Sequence, residues 1–222
     1  MIAFTATSSV AQTDPDNQQS VGVPYPGKAE PAGAFRGLTE IDTMVDLSFM
    51  YTHLRGDDMS GAYGGLPQLG AGISLATGDR TRFFLSAHYG KKSGDPYYSI
   101  DGLSDEDGLT VKALPLMIGI KINTSQRQDF RLYLGGAFQY TFLWEDLTTG
   151  DVNDNPMDIE ASGSGAGYYF FLGPEFPLGK GTSALGAEFG FGGSKGNVTA
   201  SSHSHGVDLT GVHARIYYTF GL

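Results

Sequence analysis

The chain has 222 residues with a formal net charge of −10, and it holds 33 glycines, 14 phenylalanines and 12 tyrosines but no cysteine. Without cysteine there is neither a disulfide framework nor a thiolate zinc site, and the acidic balance argues against a nucleic-acid partner, whose phosphates call for Lys/Arg patches. The length allows one domain plus a tail, and nowhere does the chain reach the roughly 18 consecutive apolar residues of a transmembrane helix.

Residues 1–11 read as the remnant of a signal peptide. Ile2, Ala3 and Phe4 lead into Ser9, Val10 and Ala11, a small-x-small pattern suited to cleavage after Ala11, without a charged n-region before it. Residues 12–38 read as a flexible periplasmic tail, because Pro15, Pro24, Pro26 and Pro31 punctuate a stretch with almost no apolar periodicity.

Residues 39–222 alternate apolar and polar side chains with period two, and the pattern recurs eight times. The first strand, about 40–54, sets Val45, Leu47, Phe49 and Tyr51 against Asp42, Asp46, Ser48 and Thr52. The second, about 67–77, aligns Leu69, Ala71, Ile73 and Leu75. The third, about 81–90, sets Phe83, Leu85 and Tyr89 against Arg82, Ser86 and His88. In the fourth, about 110–122, Leu114, Leu116, Ile118 and Ile120 oppose Gly119 and Lys121.

The fifth strand has the clearest pattern, with Phe130, Leu132, Leu134, Phe138, Tyr140, Phe142 and Trp144 on one parity and Arg131, Tyr133, Gln139 and Glu145 on the other. The sixth, about 165–176, sets Tyr168, Phe170 and Leu172 against Tyr169 and Glu175. The seventh, about 182–192, sets Leu185, Phe189 and Phe191 against Glu188. The eighth, about 207–222, sets Val212, Ile216, Tyr218 and Phe220 against His213, Arg215 and Tyr217. Pro115 interrupts the fourth strand. It has no N–H to give a ladder, so a bulge or a missing bond is expected there.

Connections alternate between tight turns (77–81, 123–129 and 178–182) and long polar loops (55–66, 91–109, 146–164 and 193–206). Such asymmetry is expected of an outer-membrane barrel, and an even strand count puts both termini on the short-turn, periplasmic side.

A soluble eight-stranded barrel shows the same alternation with the apolar face turned inward. Three features favour lipid instead. The polar face carries fewer Lys and Glu than a solvated exterior would and is punctuated by a charge set that can pair inside a lumen: Asp42, Asp46, Arg82, Lys121, Arg131, Glu175, Glu188 and Arg215. Aromatics gather at both ends of the apolar face, with Tyr51, Tyr89, Tyr140 and Trp144 toward the loops and Phe83, Phe130, Phe176 and Phe220 toward the turns. The apolar runs also have the length of about 9–11 residues that a tilted strand needs to cross a bilayer. The fold expected is an all-β, eight-stranded antiparallel up-and-down transmembrane barrel.

Segments 113–122 (ALPLMIGIKI), 131–138 (RLYLGGAF), 171–180 (FLGPEFPLGK) and 185–189 (LGAEF) carry a resemblance. They are similar to the small outer-membrane β-barrel superfamily of OmpA-, OmpW- and OmpX-like proteins. The end, 212–220 (VHARIYYTF), resembles the C-terminal strand read by the barrel-assembly machinery, although Gly221 and Leu222 follow its last aromatic. The resemblance covers about 39–222 and implies an architecture, not an activity.

No catalytic, metal or cofactor set emerges. His203 and His205 lie among serines in the last long loop, but their spacing does not match the His and Ser of an outer-membrane lipid A deacylase, and no acid has an obvious place beside them. Residues 151–156 start like a calcium loop, yet Pro156 stands where Gly is needed and Ser162 where Glu is needed. With Asp57 and Asp58, the loop acids read as a solvated surface.

The expectation is therefore a non-enzymatic barrel with a side-chain-filled lumen, acting in envelope integrity or surface interaction. Its partners would be outer-membrane lipid or lipopolysaccharide, the assembly machinery, and something outside the cell. Tyr97, Tyr98, Asp105, Glu106, Asp107, Asp151 and Asp154 are the candidate loop contacts. A narrow channel or carrier for small solutes or hydrophobic molecules is the alternative, and a lipid-modifying enzyme a more distant one.

Overall fold

A computed structural model describes residues 42–55, 57–78, 80–94, 108–125, 130–148, 158–178, 183–200 and 203–222. Within them the chain forms strands β1 (Asp42–Leu54), β2 (Gly65–Thr77), β3 (Thr81–Gly94), β4 (Gly108–Asn123), β5 (Arg131–Thr148), β6 (Asp158–Pro177), β7 (Ala184–Ala200), β8 (His203–Asp208) and β9 (Gly211–Gly221). One helix, α1 (Asp57–Tyr63), lies between β1 and β2. The signal-peptide and tail readings, and all seven candidate loop contacts, lie outside the described residues.

From β1 to β8 each strand pairs antiparallel with the next, and β9 closes the sheet by pairing with both β7 and β1. The nine strands make eight staves. β8 pairs with β7 in the same register as β9 does, and the N–H of Leu209 reaches the carbonyl of Ser194, so β8 and β9 form one stave. Its break at Leu209 and Thr210 lies opposite Ser194 and Gly193, and Gly193 and the adjacent Gly192 have φ angles of 135° and 137° that are open only to glycine at little cost. A side chain at either position would overlap a facing carbonyl.

Closing a sheet requires the strands to be staggered. Followed through cross-strand partners, Thr43 leads to Leu75, Phe83, Ile120, Gly136, Phe170, Phe191, Val212 and back to β1 at His53. The stagger is therefore the ten residues from Thr43 to His53. A core this narrow is filled by side chains alone.

The parity holds in three dimensions. Leu47, Leu69, Leu85, Ile118, Leu134, Phe170, Phe189 and Ile216 are exposed on the outside, while Arg82, Lys121, Glu175, Glu188 and Arg215 are buried inside. A soluble barrel would invert this order, because exposing so much contiguous apolar surface to water is strongly unfavourable. The exterior is a lipid-facing surface, and the chain is a membrane β-barrel.

Three local expectations are refined. At Pro115 the β3–β4 register is unchanged from Ala87–Leu116 to Gly90–Ala113 with the two intervening pairs absent, so the proline removes ladder bonds without a bulge. The segments expected as loops at 146–164 and 193–206 are in large part strand, since β5–β6 and β7–β8 run on as hairpins past the apolar band. The segment expected as loop at 55–66 holds α1. That helix ends at Gly64, whose φ of 63° and N–H to the Ser60 carbonyl make a left-handed cap.

Candidate functional site

The lumen is the candidate site, and it is built in layers from the turn end to the loop end. Near the turns, two buried carboxylates each hold two cations. Arg82 on β3 donates both guanidinium forks to Glu175 on β6, at 2.9 and 3.1 Å. The hydroxyls of Tyr217 and Tyr133 donate to the same carboxylate at 3.1 and 3.4 Å, and Arg131 approaches it at 3.5 Å from the mouth of the barrel. Glu188 on β7 accepts from Lys121 on β4 and from Arg215 on β9, the latter at 3.1 Å.

Burial makes these pairs matter. Glu175 and Glu188 are 0% and 1% exposed, so either would be strongly destabilising without its cations. Aromatic faces supply the rest of the surroundings. The Lys121 ammonium lies 4.2 Å from the ring centre of Tyr217 and 5.6 Å from those of Phe84 and Phe171.

Of the eight sequence-derived lumen charges, the structure joins six in these two clusters: Arg82, Arg131 and Glu175, and Lys121, Arg215 and Glu188. Asp46 is buried beside Thr219 and Gly72, and the described residues give it no ion pair. Asp42 departs from the expectation. It has the inward parity but sits at the first position of β1, where the barrel mouth opens, and is exposed.

Above the charges lies a neutral polar layer. Ser48 and His88 Nε2 are 3.0 Å apart. His213 Nε2 donates to the Gly192 carbonyl at 3.0 Å, so in the neutral ring Nδ1 accepts from the Thr52 hydroxyl at 2.8 Å. Gln68 donates to that hydroxyl at 3.0 Å. Thr52, Gln68, His213, Met50, Leu66 and Leu209 are among the residues lining a void with room on the order of a single water.

Toward the loops the lumen becomes apolar, which the sequence reading missed. Leu54, Met59, Tyr63, Leu66, Val111, Leu143, Leu147 and Val207 form one buried cluster, with α1 contributing Met59 and Tyr63. A signal was present. Met59 and Tyr63 stand four apart after two aspartates, as a helix start allows, and the inward parity turns apolar at Val111 and Ala113 and again at Leu143 and Leu147.

The histidine pair also differs from expectation. His205 does have an acid beside it, because β5 brings buried Glu145 within 2.8 Å of its Nε2. Nothing in the sequence marks that contact, which spans 60 residues and depends on β8 pairing with β7. Outside the barrel at this level, Lys112 pairs with Asp146, and Lys195 pairs with Asp208 at 2.7 Å.

No protein-family model and no curated protein matches the sequence. Solved structures do match the shape. The outer membrane protein OprG from Pseudomonas aeruginosa is 17% identical, with 84% of this chain and 98% of that chain covered and a TM-score of 0.57. A major outer membrane protein from Thermus thermophilus is 11% identical, with 81% and 99% covered and a TM-score of 0.53. The attachment invasion locus protein Ail of Yersinia pestis is 10% identical, with 82% and 98% covered and a TM-score of 0.49.

Proposed function

We propose that this chain, a membrane β-barrel with the fold of small bacterial outer-membrane proteins, is a closed, non-catalytic envelope protein with both termini in the periplasm. The observation that carries the reading is the layered filling of the lumen among the described residues. Paired charges occupy the turn end, a hydrogen-bonded layer follows, and an apolar core under α1 occupies the loop end. β1 begins and β9 ends at the same rim, where Leu222 N–H meets the Thr43 carbonyl, and the tight connection between β2 and β3 lies at that rim as well. Short turns face the periplasm in such barrels. The connections at 95–107 and 149–157 would then offer acids and aromatics outside, where an extracellular partner meets them.

The protein refolded into detergent should run as a heat-modifiable band on unboiled gels, with a β-rich circular dichroism spectrum. In planar bilayers the same preparation should give no stable large conductance steps. A soluble monomer without detergent would sink the membrane reading, and large regular conductance steps would sink the closed lumen. A carrier of small hydrophobic molecules is the second reading, for which the apolar cluster at the loop end is the supporting feature.

A further inference from the structure

We propose that Lys91 and Lys112 form a binding site for a phosphate group of an outer-leaflet lipid headgroup. The two lysines are direct cross-strand partners on β3 and β4, and both have the outward parity of Tyr89 and Leu114. Partners facing the same way hold their Cβ atoms about 4.5–5.5 Å apart, and like charges so placed repel. An anion lying between them turns that repulsion into attraction, and lysine is a point-charge phosphate binder.

Their height on the barrel identifies the occupant. Tyr89 is the next outward residue below Lys91, and Trp144 on β5 is the cross-strand partner of Lys112. Interfacial aromatics mark the headgroup level of a bilayer, so the lysine pair stands where lipid phosphates lie.

The surrounding charges leave the pair receptive. Lys112 is steadied by Asp146, whose own cross-strand partner is Glu160, so charge runs positive, positive, negative, negative from β3 to β6. The described residues give exposed Lys91 no ion-pair partner. The positive end of this ladder therefore lies at β3, open to the membrane surface.

The inference rests on the outer-membrane reading above, and the single tryptophan, Trp144, supplies its own reporter. The folded barrel in maltoside micelles is titrated with bisphosphorylated lipid A, with its dephosphorylated counterpart and with inorganic phosphate, while Trp144 fluorescence is followed. The wild type should respond saturably to the phosphorylated lipid alone, and K91Q/K112Q should bind it at least about tenfold more weakly while remaining heat-modifiable. An unchanged titration in K91Q/K112Q overturns the site, as does an equal response to dephosphorylated lipid. A matching response to inorganic phosphate overturns the lipid as its occupant. A folded wild type that ignores lipid sinks only this site, whereas a chain that never gives the heat-modifiable band sinks the barrel reading and the site with it.

Discussion

Replacing Glu188 with alanine should destabilise the barrel by about 3–5 kcal/mol, the effect of leaving a buried charge without its partner. Glu188 is the only acid within ion-pair reach of Lys121 and Arg215 among the described residues, and all three side chains are buried. Alanine removes the negative charge and leaves two cationic groups facing each other across the lumen. Glu188→Gln should lose nearly as much, because it keeps the volume and discards the charge. The measurement is the temperature at which the folded band converts to the unfolded one, together with urea unfolding in lipid vesicles. Adding Lys121→Met to Glu188→Ala should restore part of the loss, since one stranded cation is then gone. Wild-type stability in Glu188→Ala would mean that the Glu188 carboxylate is not what offsets the two cationic charges.

Ile118→Arg should cost about 2–4 kcal/mol in vesicles, the range for a cation at the bilayer midplane on the lipid face of a barrel. Ile118 is 61% exposed, faces outward between Leu85 and Phe138, and lies midway along the apolar part of β4. In a water-soluble barrel the same change would be neutral or favourable, because an exposed isoleucine gains nothing from water. Arginine at Tyr89, at the aromatic level, should cost no more than about 1 kcal/mol. The contrast between two exposed positions on neighbouring strands reads out membrane depth directly. Equal effects at both would contradict the lipid-facing assignment of the band.

Much of this was legible in one dimension because a strand alternates its side chains. Period two separated Leu85 from Arg82 and Phe189 from Glu188, and the choice between lipid outside and core inside followed from which side chains shared the charged face. Pro115 announced a lost ladder bond by lacking an N–H, and the missing pairs lie there. Parity carries no information about register, however. Arg82 and Glu175 share a face with every other inward residue, and only the stagger of the closed sheet brings them together across 93 residues. The same limit hid Glu145 from His205 and the cross-strand meeting of Lys91 with Lys112.

The sequence by itself determined an all-β chain, the number of staves, the identity of the two faces and the residues available to neutralise one another inside. It could do so because alternation, aromatic placement and turn chemistry are local properties. Tertiary structure alone decided which acid serves which base, and it left Asp42 at the open mouth while burying Asp46. It also turned α1 inward, so that Met59 and Tyr63 complete an apolar core inside the loop end of the barrel. Those outcomes depend on closure. Once eight staves meet at a fixed stagger, the lumen is too narrow for bulk water, and each inward side chain must find its partner among the few that the stagger places beside it.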